Sequence, residues 1–224
     1  MHRKLATAVT LLLAAAAPLS AQITTSHMQF FHTTTGDSHG FGVGPYSGAR
    51  DGNDVLLNCV DFFDAVNAGD NWDAYISPLG QGDLSHTNLA GDVDAQATYE
   101  EAAYLVTQYA GVTTAADTAN IQHAIWRLFG DVDLAGGSYF TGPGDPSEGW
   151  MQLASNNYAS AGIDYNNFSV VTDTRVFDNL NNPNFDQSVI RQEFLITTPE
   201  PSSMLLLGTG LVGLVPMIRR RKRN

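Results

Sequence analysis

The chain has 224 residues, a single cysteine, and 11 lysines and arginines against 23 aspartates and glutamates, which gives a formal net charge of -12. This length suits one domain with attached processing segments. A single cysteine excludes an intramolecular disulfide and a cysteine-cluster metal site. The acidic balance excludes a nucleic-acid-binding protein, because such proteins need a basic surface.

Residues 1–21 have the three parts of a secretory signal peptide. Arg3 and Lys4 lie in a basic start, residues 5–17 form an apolar run, and residues 19–21 are close to a small-x-small cleavage site. We therefore predict export and removal of this segment. The alternative is an N-terminal membrane anchor, but the apolar run is shorter than the roughly 20 residues that span a bilayer.

Residues 22–198 are predicted to be the exported domain. They contain 22 acidic residues, four arginines and no lysine, which gives a net charge of -18. A surface of this charge repels anionic polymers and lipids. It also carries no primary amine except its own N-terminus.

The first part of this domain predicts strands. Residues 22–54 are rich in Thr, Ser, Gly and His and predict short strands or an extended arm. Residues 55–63 are apolar and β-branched around Cys59, and they predict a buried strand. Residues 71–78 predict its partner strand, and residues 80–91 predict a loop.

Two helices are predicted next. Residues 97–110 place apolar side chains at helical spacing, and Gly111 suits the stop. Residues 115–129 form the second helix, and Gly130 lies just past its end. The apolar stripe of this second helix consists of Ile121, Ala124, Ile125 and Leu128.

A third helix is predicted from Asp145 to about Ala159. Asp145 supplies the N-cap acceptor, Pro146 suits the first helical position, and Glu148 suits the third. We expect the inward side chains to be those of Trp150, Met151 and Ala154.

Strands are predicted again over residues 168–177 and 189–196, with an Asn-rich turn at 179–184 between them. The chain therefore predicts an α+β domain in which a β-sandwich or barrel-like set of strands contains a helical insert. The signal peptide and a C-terminal sorting helix flank this domain.

The C-terminal tail, residues 199–224, has three parts. The triplet Pro199, Glu200 and Pro201 precedes an apolar stretch at 204–218 and a basic end at 219–223. This tail resembles the PEP-CTERM sorting signal of Gram-negative bacteria. The resemblance implies that an exosortase processes the tail and releases the protein to the cell surface or the exopolysaccharide matrix, with membrane contact only through the short helix before processing. The alternative is a plain C-terminal membrane anchor whose cations stay in the cytoplasm.

A lone cysteine in an exported protein calls for a reason, and Gln122 suggests one. Gln122 lies beside the apolar stripe of the second helix, and a partly buried amide needs partners for both its oxygen and its nitrogen. Cys59 in an apolar strand followed by an Ile121-Gln122-x-x-Ile125-Trp126 pattern resembles the thioester domains of bacterial surface adhesins. Asn58 departs from that family's usual aromatic residue or Leu before the cysteine.

The resemblance implies an internal thioester, in which the Cys59 thiolate attacks the side-chain carbonyl of Gln122 and ammonia leaves. Ile121, Ile125 and Trp126 would then form an apolar pocket that keeps water away from the activated acyl group, with the Phe62-Phe63 pair as a further wall. The implied partner is an amine or hydroxyl group on a surface or matrix target, met once and without enzymatic turnover. His123 points about 100° away from Gln122 on a helix, so it receives no role.

Other chemistry is less well supported by the sequence. The pairs Asp92/Asp94 and Asp131/Asp133 lie beside glycines but do not complete a calcium loop, and His27, His32, His39 and His86 lack metal-ligand spacing. The sequence therefore predicts no cofactor, no metal and no enzyme. One alternative function is a non-covalent structural or carbohydrate-binding matrix protein that stacks sugars on Trp72, Tyr139 and Trp150. A more distant alternative is a secreted hydrolase, for which the sequence offers no catalytic triad.

Overall fold

A computed structural model describes residues 23–34, 36–38, 41–130, 144–178 and 190–197. The predicted signal peptide, the Asn-rich turn at 179–184 and the sorting tail with Pro199, Glu200 and Pro201 lie outside these residues.

Eight strands occur in the described part of the chain. They are β1 (Thr24–Thr33), β2 (Gly36–Ser38), β3 (Phe41–Val43), β4 (Tyr46–Arg50), β5 (Asn53–Cys59), β6 (Asn71–Pro78), β7 (Phe168–Asp173) and β8 (Phe194–Thr197). Six of them form a closed antiparallel barrel in the order β1–β4–β5–β8–β7–β6, and β6 pairs again with β1. β2 and β3 form a separate two-stranded ribbon.

Buried apolar side chains alternate with exposed ones along the strands, and the buried ones fill the barrel. In β6, Trp72, Ala74 and Ile76 are buried while Asn71 and Asp73 are exposed, because successive side chains of a strand point to opposite faces. The barrel core also receives apolar residues from the other strands. These include Met28, Phe30, Tyr46, Leu57, Cys59, Val171, Phe194 and Ile196.

The helices form an insert between β6 and β7. They are α1 (Ala95–Gln108), α2 (Ala115–Leu128) and α3 (Pro146–Asn157), and a short helix α4 (Arg175–Asp178) follows β7. The bounds of α1, α2 and α3 lie within two residues of those predicted from the sequence. An α+β fold with barrel-like strands and a helical insert is therefore confirmed.

Local caps explain where these helices begin and end. The Thr114 hydroxyl accepts a hydrogen bond from the Asp117 N–H at 3.0 Å and starts α2. Gly130, with a φ of 73°, follows the end of α2 in the left-handed conformation that glycine adopts without strain. The Asp145 carboxylate accepts from the Ser147 N–H at 2.8 Å and starts α3, with Pro146 in the first turn as predicted.

The helices pack on the outside of the barrel wall. β7 is buried along its whole length because one face lines the barrel and the other meets the helices. Val171 belongs to the barrel core, whereas its neighbour Val170 belongs to the helical core with Leu195. α2 contributes to both cores, since Trp126 packs with the barrel residues and Ile125 packs with the helices.

The structure corrects the predicted strands in pairing and in extent: the strand predicted over 55–63 ends at Cys59, and the strand predicted over 189–196 begins at Phe194. β6 has the predicted bounds, but its predicted pairing with the strand of Cys59 is wrong: β6 lies between β1 and β7, and β5 lies between β4 and β8. Barrel closure joins strands that are distant in sequence, and the local pattern does not specify such pairs. The strand predicted to reach Phe177 ends at Asp173, whose carboxylate accepts from the Arg175 N–H at 2.9 Å and turns the chain into α4.

A buried carboxyl group joins the helices to the segment that follows β5. Glu193 accepts hydrogen bonds from the Tyr99 hydroxyl, from the Thr172 hydroxyl at 2.5 Å and from the Asn88 N–H at 2.8 Å. Its backbone carbonyl accepts from the Val60 N–H at 3.0 Å. Glu193 thus positions the chain immediately beyond the site described below.

Burial raises the pKa of Glu193 to about 7 from an ordinary value of 4.5, although the Thr172, Tyr99 and Asn88 donors oppose the shift. Between these two values the folded state keeps the proton and the unfolded state loses it. The stability that Glu193 contributes is therefore complete below pH 4.5 and is lost as the pH rises to about 7. We expect this group to lower the free energy of unfolding by about 3 kcal/mol over that range, as measured by urea unfolding.

Glu193→Gln provides the control, because the amide keeps the shape of the protonated carboxyl group without titrating. The loss of stability between pH 4.5 and pH 8 should be smaller in the variant by about 3 kcal/mol. The same pH dependence in both proteins would contradict the assignment.

Candidate functional site

The candidate site lies where β5, α2 and the turn before β4 meet. Cys59 is the last residue of β5, and Gln122 lies in the middle of α2. Both side chains are fully buried, with 0% of their surface exposed. The fold therefore brings together two residues that are 63 positions apart in the sequence.

The Gln122 carboxamide is held by three hydrogen bonds. Its Nε2 donates to the backbone carbonyl of Cys59 at 2.7 Å. Its Oε1 accepts from the Gly44 N–H and from the Tyr109 hydroxyl, each at 3.2 Å. The buried amide thus finds the partners that its oxygen and nitrogen require.

These partners also fix which end of the amide is oxygen. A backbone N–H only donates, and a backbone carbonyl only accepts. Gly44 therefore faces Oε1 and the Cys59 carbonyl faces Nε2. The reversed amide would set two donors against each other at Gly44 and two acceptors against each other at Cys59.

The sulfur of Cys59 has its own defined surroundings. The Trp126 indole N–H donates to Sγ at 3.4 Å, and the thiol donates to the Asp61 carbonyl at 2.8 Å. The Tyr46 hydroxyl, which donates to the Gly42 carbonyl at 2.7 Å, lies close enough to Cys59 to interact with it. Trp126 lies four residues after Gln122 on α2, so one helix face presents both the amide and the indole to the end of β5.

Two tyrosine hydroxyls near the site stay protonated at neutral pH. Burial, followed by the influence of Cys59, raises the pKa of Tyr46 well above its ordinary value. The same two causes raise the pKa of Tyr109. Tyr109 therefore remains a hydrogen-bond donor to Gln122 over the whole physiological pH range.

The arrangement around Gln122 suits chemistry at the amide carbon. A nucleophile that attacks this carbon pushes negative charge onto Oε1, and Oε1 already faces two donors. Pre-placed donors at a developing oxyanion stabilise the transition state without any rearrangement. The surroundings exclude bulk water, which strengthens such interactions.

The three residues predicted to form an apolar pocket are all buried, and they lie in two different cores. Trp126 packs in the barrel core and contacts the sulfur. Ile121 and Ile125 pack in the core between the helices and the barrel wall. Phe62 lies against Trp126 with ring centroids 5.0 Å apart, whereas Phe63 is 55% exposed.

Sequence reasoning missed Gly44 and Tyr109 as partners of Gln122. Tyr109 appeared only as an apolar position of the first helix, and its hydroxyl gave no separate signal. Gly44 lies 78 residues before Gln122, and its part is played by a backbone N–H that every residue except proline possesses. A glycine is needed there because a Cβ would lie 2.9 Å from Oε1 of Gln122.

Other candidate residues that the structure describes have structural roles in packing or in turns. His123 is buried and stacks on Trp126 at 5.8 Å between ring centroids, away from the Gln122 amide contacts. The Asp92 carboxylate accepts from the Asp94 N–H at 2.9 Å within a turn, and Asp131 and Asp133 lie outside the described residues. Within the described ranges, no group of three or more His, Cys, Asp and Glu side chains is arranged to hold a metal ion.

Of the aromatic residues predicted to stack sugars, the two that the structure describes are not fully exposed. The prediction for Trp72 is wrong, because this side chain points into the barrel and is 4% exposed. Trp150 is half-buried against the helical core, and Tyr139 lies outside the described residues.

No curated protein and no solved structure matches the chain. In the described part of the chain, none of the helices is both long enough and apolar enough to cross a membrane. Residues 197–223 match the PEP-CTERM protein-sorting motif, which contains the predicted triplet Pro199, Glu200 and Pro201. The chain therefore carries the signal of an exported bacterial surface protein that an exosortase processes.

Proposed function

We propose that this protein, once exported, forms an internal thioester between Cys59 and Gln122 and uses it once to attach covalently to a surface or matrix target. The observation that carries the proposal is the set of three hydrogen bonds that hold the Gln122 amide. In one of them the amide nitrogen donates to the backbone carbonyl of Cys59 itself. The Trp126 contact to Sγ supports the same assignment.

Thioester formation requires one bond to form and one to break. The Cys59 sulfur attacks the side-chain carbon of Gln122, and the negative charge that develops on Oε1 is stabilised by the Gly44 N–H and the Tyr109 hydroxyl. The C–N bond then breaks, and the amide nitrogen leaves as ammonia after taking up the thiol proton. The products are a thioester and one molecule of ammonia.

Attachment to the target reverses the roles. An amine or hydroxyl attacks the same carbon, an amide or ester bond forms, and the Cys59 sulfur leaves and regains a proton. The same two donors face the oxygen in this step. Because the Cys59–Gln122 site is buried, competing water is kept away until the target arrives.

The sorting motif also leads to a proposal about where the protein acts. We propose that the tail anchors the chain transiently in the inner membrane of a Gram-negative bacterium. Exosortase processing then leaves the domain on the cell surface or in the extracellular matrix. A covalent bond would fix the protein there after its anchor has been removed.

The first prediction concerns the mass of the exported domain. We expect the native domain to be lighter than its sequence by one ammonia molecule and to gain the mass of one methylamine molecule on treatment with methylamine. Intact-mass spectrometry measures both changes. A native protein of full mass with a free Cys59 thiol would reject the thioester.

The controls for this measurement use four variants. Cleavage of the predicted signal peptide leaves Gln22 at the N-terminus, where it can itself lose ammonia by cyclisation, so the measurement uses a Gln22→Ala background. Cys59→Ala and Gln122→Ala should each abolish the mass deficit. Gln152→Ala, at an exposed position of α3, should retain it. Loss of the deficit in Gln152→Ala would contradict the assignment to Gln122.

The second prediction concerns Tyr109. Tyr109→Phe removes one of the two donors to Oε1 and should slow methylamine incorporation by about 100-fold, the usual effect of losing one oxyanion donor. The rate is followed by mass spectrometry. Tyr75→Phe, on the outer face of β6, should react at the wild-type rate, and an unchanged rate in Tyr109→Phe would show that this hydroxyl takes no part.

The third prediction concerns Gly44. In Gly44→Ala the new methyl group lies 2.9 Å from Oε1 and pushes the amide away from its donors. We expect most of the mass deficit to disappear while the far-ultraviolet circular dichroism spectrum is retained. Gly149→Ala is the matched control, because no atom lies within 4 Å of its new methyl group; a full deficit in Gly44→Ala would contradict the proposed geometry.

The non-covalent alternative keeps one supporting observation. Tyr75, His86 and Phe177 form a half-buried cluster of rings, with centroids 4.4 Å apart for the first pair and 5.3 Å for the second. Retention on exopolysaccharide that is the same in Cys59→Ala and in the wild-type protein would favour this matrix-binding function over covalent attachment.

A further inference from the structure

An aromatic cavity of about 390 Å³ is lined in part by Trp126, whose indole N–H contacts the sulfur of Cys59. Its wall comes from β1, β3, β4, α2, the loop that follows β5 and the segment just before β8. The rings that line it are those of Phe30, Phe41, Tyr46, Phe62, Phe63 and Trp126.

Three of these rings are in contact one after another, from the exposed Phe41 to the buried Trp126. Phe41 is 37% exposed, and its ring centroid lies 4.7 Å from that of Phe62. The Phe62 centroid lies 5.0 Å from that of Trp126. Trp126 in turn donates to Sγ of Cys59 at 3.4 Å. A group that enters this cavity therefore comes to rest against a side chain that contacts the reacting sulfur.

Asp64 gives the cavity its charge. Among the described residues that line the cavity, it is the single charged one. The Asp61 carboxylate accepts from the Asp64 N–H at 3.2 Å and from the Phe63 N–H at 2.9 Å, which fixes the turn that carries both side chains. The acidic domain, with a net charge of -18 over residues 22–198, adds a long-range attraction for cations.

We propose that this cavity recognises the alkylammonium group of the target, with Asp64 as the specificity residue, so that the thioester accepts a primary amine in preference to a hydroxyl. Ring faces attract a cation through their quadrupole, and a carboxylate adds a direct charge interaction. A neutral hydroxyl group gains from neither. This selectivity rests on the proposed function, whereas binding of the cation in the cavity does not.

The reaction that follows capture is balanced. The bound ammonium releases one proton to solvent and becomes a neutral amine. Its nitrogen forms a bond to the side-chain carbon of Gln122, the bond between that carbon and Sγ breaks, and the Cys59 thiolate takes up a proton. The product is a secondary amide between Gln122 and the target.

The cavity is tested in Cys59→Ala, which cannot form the thioester. Butylammonium and butan-1-ol have the same length and differ in charge, and the indole N–H signal of Trp126 in NMR spectra reports their binding. We expect butylammonium to bind about tenfold more tightly than butan-1-ol. Adding Asp64→Asn should remove this difference, and adding Asp54→Asn, which removes a charge from an exposed position of β5, should preserve it. Equal binding of the two probes, or a difference that persists in Asp64→Asn, would overturn the proposal.

The reactive protein supplies the second test. Asp64→Asn should keep the ammonia-sized mass deficit and incorporate butylamine about tenfold more slowly than the wild-type protein. An unchanged rate would overturn the role of Asp64 and leave the thioester intact. Absence of the mass deficit in the wild-type protein would overturn the thioester, and the binding measurements in Cys59→Ala would still decide the cavity.

Discussion

The side-chain amide of Gln122 is the contact on which the arrangement of the site depends. Three parts of the chain meet at this one group: the end of β5 through the Cys59 carbonyl, the turn before β4 through Gly44, and the end of the first helix through Tyr109. Gly44 and Tyr109 donate to the buried amide oxygen, and the Cys59 carbonyl accepts from the amide nitrogen. Leaving either of these two atoms without a partner would cost about 1–3 kcal/mol. The amide therefore fixes the helical insert against the barrel while its oxygen faces two donors.

The barrel provides the rigid side of this site. Cys59 lies at the end of a strand that is paired on both edges, and its own pair in β8 is Phe194. Glu193, just before Phe194, holds the next backbone position through the Val60 N–H and joins β7 to α1 through its carboxyl group. The residues on either side of the sulfur are thus fixed by contacts that do not involve Gln122.

Charge distribution is consistent with a domain that carries an electrophile. Residues 22–198 hold four arginines and no lysine, so no side-chain amine of one copy can react with another. The acidic surface and the Asp64 carboxylate attract the cations that the proposed chemistry consumes. The sorting tail carries the remaining basic residues, apart from those at the N-terminus, and processing by an exosortase separates that tail from the domain.

Several features follow from the sequence alone. The helical periodicity, the Thr114 and Asp145 caps and the glycine stop after α2 are local, because they depend on contacts within a few residues. The sorting motif is likewise a linear pattern. Cys59 and Gln122 were also selected by sequence, since a lone cysteine and a glutamine beside an apolar stripe are unusual in themselves.

Only the tertiary structure decided which groups surround those two residues. The neighbours of β6, the separation of Ile125 and Trp126 into two cores, and the burial of Trp72 all result from barrel closure, which pairs strands far apart in the chain. The Gly44 N–H is a group that almost every residue has, so no sequence pattern marks it as the partner of an amide 78 residues away. Local interactions determine the elements, whereas the directions of backbone donors and the walls of a cavity are set only when the whole chain packs.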